Sequence, residues 1–468
     1  MEEENQEEPK QKRRTSKFIE WLRQKFKLYF DLIFSNGIKI NVLQASPFWV
    51  ASVLVGLVAV VYTKLFAYSE SFLQKILHWH SWMIFIMAPV CFLIAWTLIQ
   101  LFSRNAGGSG IPQIMAAIDL ATPKHEEKVK KLLSLRIIIV KVTSSLLMVM
   151  GGGAIGREGP TIQVSGSIFR MINRIIPSSW PKLSSQQFIL TGAAAGLAAA
   201  FNTPLGGIIF AIEELARTHI RFFRTALFSA VIIAGLAAQG ILGPYLYLGY
   251  PDVSGLKFSI FWGVAATAII SGLLGGLMSK AILKLILWKR NFPKLKSMLY
   301  VIGAGVVIAL IAYFLNSEVL GSGKDLMARV LYTQNKASSW DTALLRIIGP
   351  IISFNTGAAG GIFAPSLAAG ALLGAFISDT FQIHGAEANI LILAGMVGFL
   401  TGVTRTPFTS AILVLEMTDR HNVIFHLMIA SLISNIAALL VDKHSLYEQL
   451  KKRYIEQSVL EDKPVNET

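Results

Sequence analysis

Charge is scarce in this sequence: 15% of its 468 residues are Asp, Glu, Lys or Arg, against 53% that are hydrophobic. Residues 183–212, 258–279 and 347–378 carry no charge at all. Each is long enough to cross a hydrocarbon core of roughly 30 Å as a helix. So little polar cover excludes an ordinary soluble core and makes the lipid bilayer the solvent. Cysteine is almost absent. Cys91 alone, inside the apolar run Met87-Ala-Pro-Val-Cys-Phe-Leu-Ile, rules out an intrachain disulfide and reads as packing. There is no zinc-type His/Cys cluster, phosphate loop or nucleotide fingerprint, so no metal or cofactor is expected. The chain opens on Glu2, Glu3 and Glu4 rather than a basic region followed by an apolar run, which argues against a cleavable signal peptide.

The formal charge of +15 raises nucleic acid as a partner, but the basic residues are placed for a different role. Eight Lys or Arg lie between Lys10 and Lys27, with Glu20 as the one acid among them. With Phe18, Trp21, Leu22 and Phe26, this reads as a cytoplasmic flank with an amphipathic helix in the interface, and no nucleic acid is expected.

Beyond residue 45, apolar segments follow at about 46–77, 81–102, 132–155, 185–215, 225–247, 257–288, 298–315, 343–354, 364–380, 390–403 and 406–440. Many are short or interrupted, at Gly108-Ser-Gly-Ile-Pro112, Gly151-Gly-Gly-Ala-Ile-Gly-Arg-Glu-Gly-Pro160, Asn202-Thr-Pro-Leu-Gly-Gly207 and Gly357-Ala-Ala-Gly-Gly-Ile-Phe-Ala-Pro365. Such Gly and Pro density ends helices. Backbone freed at membrane depth is tolerated where protein buries it or where it lines a watery path. These loops are therefore candidate pathway walls.

The interruptions repeat. At an offset of 203, Gly192 falls on Gly395, Thr203 on Thr406, Pro204 on Pro407 and Glu213 on Glu416; at 205, Gly156 falls on Gly361 and Pro160 on Pro365. Two halves with matched breaks point to a transporter whose site lies at their interface near midplane. The segment pattern leaves open whether the halves are inverted.

A helix N-terminus offers free N–H groups and about half a positive charge, which attract an anion. Helices starting after Ser109, Glu158, Phe363 and Thr406 would bring four such ends together, binding an anion without a full positive charge that would hold it too tightly. Ser109 adds a hydroxyl donor, or serves simply as an N-cap. Glu158, an acid in an apolar span, invites a functional role. Its carboxylate can fill an anion position when ionised and vacate it when protonated, or it pairs with Arg157, which reads as structural. Glu213 and Glu214 close an uncharged stretch as solvated helix-end acids or as specialised groups. Glu214, which has no repeat partner, is the better candidate for proton relay.

The motifs Gly108-Ser-Gly-Ile-Pro112, Gly156-Arg-Glu-Gly-Pro160 and Gly360-Gly-Ile-Phe-Ala-Pro365 resemble, in order and spacing, the three signatures of the CLC family of chloride channels and chloride/proton antiporters. The likeness runs from about residue 45 to 455. It implies an all-α integral membrane fold of two inverted repeats of broken and tilted helices, about 18 per subunit, in a homodimer. By the same resemblance, chloride is held by Ser109, the amides of Ile362 and Phe363, and the hydroxyl of Tyr447. From the residues alone, Tyr447 is merely an interfacial aromatic. The resemblance also makes Glu158 the external gating glutamate and Glu214 the internal proton-transfer residue. Serine at 109, where the family's plant nitrate exchangers have proline, favours chloride. The intact signatures disfavour a fluoride-type member. An acid at 214, where family channels usually have an apolar residue, favours proton exchange over a passive voltage- or pH-gated channel. The segment after Tyr447 is too short for a CBS pair. The resemblance thus implies a prokaryotic-type, multi-pass protein of the plasma membrane, divided into a basic segment (1–45), two repeats (46–250 and 251–441) and a final helix and tail (442–468).

A reading from another class is an intramembrane serine protease, since Gly107-Gly-Ser109-Gly resembles the rhomboid motif. It needs a histidine base on a later span. Only His421 and His426 fall inside an apolar segment, both after its polar break Thr418-Asp-Arg.

Overall fold

The computed structural model describes residues 36–177, 180, 183–216, 223–243, 246–333, 336 and 338–460. The basic segment and its expected amphipathic helix lie outside them. The helices are numbered here α1 to α18. In the first half they are α1 (Asn36–Trp79), α2 (Ile84–Phe102), α3 (Ile111–Asp119), α4 (Glu126–Leu132), α5 (Leu135–Met150), α6 (Glu158–Ile175), α7 (Ser185–Phe201), α8 (Pro204–Phe210) and α9 (Arg224–Leu242). The second half holds α10 (Ile260–Trp288), α11 (Lys294–Leu310), α12 (Lys324–Tyr332), α13 (Trp340–Phe354), α14 (Phe363–Thr380), α15 (Gly385–Thr404), α16 (Pro407–Thr418) and α17 (Ile424–Leu439); α18 (Leu446–Leu460) follows.

Proline and left-handed residues set the breaks. Asn202 (φ 58°) ends α7 and Arg405 (φ 63°) ends α15; in both places Thr then Pro opens the next helix, the ring replacing an N–H that has no partner there. The apolar segment 185–215 is therefore two helices. The segment 406–440 also divides, at Asp419 (φ 49°), where the polar run Thr418-Asp-Arg turns the chain back into α17.

Nine stretches among the described residues are long and apolar enough to cross a membrane. They are used in two ways. α14 and α15 are almost wholly buried by protein, whereas α11 and α2 turn large apolar side chains outward, as lipid requires. On α10, Trp262 and Trp288 stand exposed near opposite ends, where indole rings favour the two interfaces.

Packing follows one plan twice. α1 lies against α7 and α9, as α10 lies against α15 and α17. Across the halves, α2 packs on α11 and α8 on α16. Equivalent elements meeting each other is what an internal two-fold relation produces. With lipid outside there is little hydrophobic drive between helices, so close approach of small residues carries the packing. At Gly272 a Cβ would stand 2.5 Å from the Ser434 carbonyl oxygen, so a larger residue would force α10 off α17.

Candidate functional site

At the centre, the repeat-related glycines Gly156 and Gly361 exchange both main-chain hydrogen bonds, each 2.7 Å, in an antiparallel bridge. α6 and α14 start immediately after this bridge, so their N-termini meet. Antiparallel pairing of equivalent positions is what a two-fold relation between the halves produces, as inverted repeats require. The Gly-Ser-Gly-Ile-Pro loop joins from a third side. Gly108 N–H donates to the Ala358 carbonyl (2.9 Å) and Gly360 N–H to the Gly108 carbonyl (3.2 Å). Gly110 sits at φ 109° with its α-carbon against Gly159, where a Cβ would be 2.6 Å from a carbonyl oxygen; only glycine fits.

Glu158 is the first residue of α6 and 1% exposed. Its carboxylate lies against its own amide and that of Ala364 on α14, so it occupies the gap between the two helix ends. Arg157 Nε stays 4.0 Å away, and that guanidinium also donates to the Ala200 carbonyl. Below lie Ser109, Ile362, Phe363 and Tyr447, all buried. The Tyr447 ring stacks on Phe363 (6.1 Å, 11°), and its hydroxyl comes to the Ser109 side chain. Neither hydroxyl has a fully formed hydrogen bond, so two buried polar groups are free to bind a ligand. Phe201 and Phe210 pack on the other sides of Phe363, keeping the dielectric low. Among the described residues no histidine is bonded to the Ser109 hydroxyl, which the protease reading requires; His426 stacks on Phe261.

The expected four-way convergence is corrected in one member. The N-terminus of α16, after Thr406, is already taken: Phe408 N–H and Thr409 N–H donate to Glu213 (3.1 and 2.6 Å). In the other half, Leu205 N–H and Gly206 N–H at the start of α8 donate to Glu416 (2.9 and 2.7 Å). The two acids matched by the repeat thus cap each other's helices. The fourth element at the site is instead the first turn of α18, bearing Tyr447. Glu213 is a cap rather than a solvated acid, whereas Glu214 keeps a buried Oε1 without a partner.

Sequence reasoning passed over the groups that orient the loop. Gln113 Nε2 donates to the carbonyls of Asn105 (3.3 Å) and Gly107 (2.6 Å), and Gln163 Nε2 to Asn105 (3.2 Å) and Leu132 (2.9 Å). Lys141, fully buried on α5, donates to Gly108 (2.8 Å) and Gly107 (3.4 Å). With the carbonyls held from behind, the Ser109 side is left to donors. Lys141 had a readable signal, as the one charge between Arg136 and Arg157. Arg346, 2% exposed, similarly holds the Val319 and Gly321 carbonyls ahead of α12.

Similar proteins agree with this architecture. An H(+)/Cl(-) exchange transporter ClcA of Klebsiella pneumoniae (strain 342) is 29% identical over 428 residues, covering 86% of this chain and 87% of that one. A protein of the same name from Citrobacter koseri is 30% identical over 384 residues, covering 79% and 78%. Among solved structures, a slow cyanobacterial Cl-/H+ antiporter superposes with TM-score 0.76 at 24% identity, over 88% of this chain and 98% of the other. A CLC-type fluoride/proton antiporter gives 0.72 at 20% identity, over 89% and 99%. The family described as voltage gated chloride channel matches residues 91–439, well over half the chain. With its signature loops assembled at the junction of two inverted halves, this chain belongs to the CLC family.

Proposed function

We propose that the protein exchanges chloride for protons across the membrane. The observation that carries this reading is the position of Glu158, whose carboxylate fills the gap between the N-termini of α6 and α14. Helix ends that hold a carboxylate also suit a chloride ion. Protonation removes the charge that the helix ends attract, so the side chain leaves and chloride takes its place. Deprotonation reverses the exchange, and one side chain serves both ions. Ser109, the Tyr447 hydroxyl and the amides of Ile362 and Phe363 hold chloride below the gate. Among the described residues no guanidinium or ammonium touches that position: Arg157 also donates to Ala200, and Lys141 stands behind the loop. Binding by partial charges leaves the ion able to depart.

Glu214, half-buried with a buried Oε1 that has no partner and within electrostatic reach of Tyr447, is the internal proton acceptor in this reading. The names of the relatives, H(+)/Cl(-) exchange transporters, support proton coupling over passive conduction. The resemblance further supports a homodimer of the plasma membrane with one pathway per subunit, each with repeats at 46–250 and 251–441 between a basic segment (1–45) and a final helix and tail (442–468).

The test reconstitutes the protein in liposomes under a chloride gradient and records external pH and chloride together. Exchange requires uphill proton movement that stops when the chloride gradient is collapsed. Chloride flux without proton movement would make the protein a passive channel on the same fold.

A further inference from the structure

α18 meets the Ser109 loop at a second tyrosine that the anion path does not account for. Tyr447 and Tyr454 lie two turns apart on one face of the helix, separated by about 10 Å along its axis. Tyr447 stacks on Phe363. The Tyr454 hydroxyl accepts a hydrogen bond from Gln113 Nε2 of α3 at 3.0 Å and lies over Gly108, 3.9 Å from where a β-carbon there would stand.

Gln113 is built into the loop on both sides of Ser109. Its Oε1 accepts from the Gly110 N–H at 3.1 Å, and its Nε2 donates to the Gly107 carbonyl at 2.6 Å. One side chain thus closes the stretch that carries Ser109. The amide nitrogen has two hydrogens. With one on Gly107, the other faces Tyr454 at 3.0 Å and, farther off, the Asn105 carbonyl at 3.3 Å. The Ser109 and Tyr447 hydroxyls have no fully formed hydrogen bond, so their spacing is set by what holds their elements. Behind Ser109 that is Gln113, behind Tyr447 it is α18, and Tyr454 joins the two. A second tie between α18 and α3, Lys451 Nζ to Asp119 Oδ2 at 3.0 Å, grips the last residue of α3, away from the loop.

We propose that Tyr454 is a positioning residue for the anion site: through Gln113 it fixes how far the Tyr447 hydroxyl stands from Ser109, and so sets the size of anion that fits between them. This rests on the reading of Ser109 and Tyr447 as chloride ligands. Without the Tyr454 hydroxyl, Gln113 keeps its bonds to Gly107 and Gly110, so the loop holds its shape and only its spacing from α18 relaxes. A small anion then loses close contact with both hydroxyls, while a larger one does not. Selectivity is the difference between the two affinities, and it falls.

Calorimetric titration of the purified full-length protein with chloride and with thiocyanate tests this. Tyr454→Phe is expected to weaken chloride binding by about threefold, the scale of one neutral hydrogen bond, and to leave thiocyanate binding at the parent value. Lys451→Met cuts the other tie and is expected to lower the thermal midpoint without moving the ratio of the two affinities. A Tyr454→Phe protein that melts earlier but keeps both affinities overturns the proposal, leaving the bond as a structural tie. Equal weakening toward both anions overturns it as well, and so does the same change of ratio in Lys451→Met. Tyr454→Met repeats the titration if the Phe variant does not fold, and failure of both to fold also counts against the proposal. Ser109→Ala and Tyr447→Phe are run alongside. If neither weakens chloride binding, the reading of the site fails; if either does while Tyr454→Phe binds both anions as the parent does, only the present inference fails.

Discussion

Gly156 and Gly361, the same position in two halves of one chain, hydrogen-bond each other in both directions at 2.7 Å. The local two-fold axis passes between them, and Glu158, the proposed gate, lies two positions beyond the first. Glu158 thus stands almost on the axis, with an N-terminus from each half reaching it.

Glu158→Gln is expected to abolish proton movement while leaving chloride flux, because an amide cannot exchange a proton and has no charge to hold it between the helix ends. In the parent protein, chloride flux should rise as external pH falls, since protonation empties the gate. The variant's flux should be flat with external pH. Paired chloride and pH electrodes check both, and persistent proton coupling in the variant would sink the gate assignment.

Gly110→Ala places a Cβ where the backbone is left-handed and Gly159 is 2.6 Å away. The left-handed conformation alone costs about 1–2 kcal/mol, and the collision adds to it. The expected outcome is a lower thermal midpoint of the purified protein together with loss of chloride binding, because the same shift moves Ser109. A variant that binds chloride normally would show the loop to be more tolerant than its geometry implies.

Lys141→Met removes a buried charge and leaves the Gly107 and Gly108 carbonyls without that donor. Each carbonyl keeps another donor, Gln113 Nε2 on Gly107 and the Gly360 N–H on Gly108, so what is lost is one hydrogen bond to each, about 0.5–1.5 kcal/mol apiece. Chloride binding, measured by calorimetry, should weaken by about tenfold, equivalent to about 1.4 kcal/mol. Equal affinity in the variant would make Lys141 a tie for the loop alone.

Glu416→Gln and Glu214→Gln should separate stability from coupling. Loss of a charged cap costs about 1 kcal/mol, and up to about 2 in a partly buried setting. The Glu416 variant should therefore melt earlier yet transport with unchanged proton coupling. The Glu214 variant should melt normally and lose proton flux. A reversal of these outcomes would exchange the roles given to the two acids.

Much of this was legible in the sequence because glycine, proline and charge are expensive in a membrane and leave marks where they occur. The three loops, the matched halves and Glu158 could be read from such marks. What escaped depends on which side a residue faces and what it meets across the fold. Lys141 lies in an apolar segment whose text does not say that two carbonyls wait behind it. Tyr447 looks like any interfacial tyrosine until α18 is packed on α3. The N-terminus after Thr406 carried the right signal for an anion-binding end, but the acid that occupies it lies nearly two hundred residues earlier, at Glu213.

The reciprocal capping by Glu213 and Glu416 bears on how such a chain can be taken apart. Either half alone would carry a helix start with no acid and an acid with no helix start. Two halves lying head to tail would supply both. A split protein made as two separate polypeptides therefore has a built-in reason to reassemble as unlike halves in opposite orientation, and single halves have the same reason to pair with themselves.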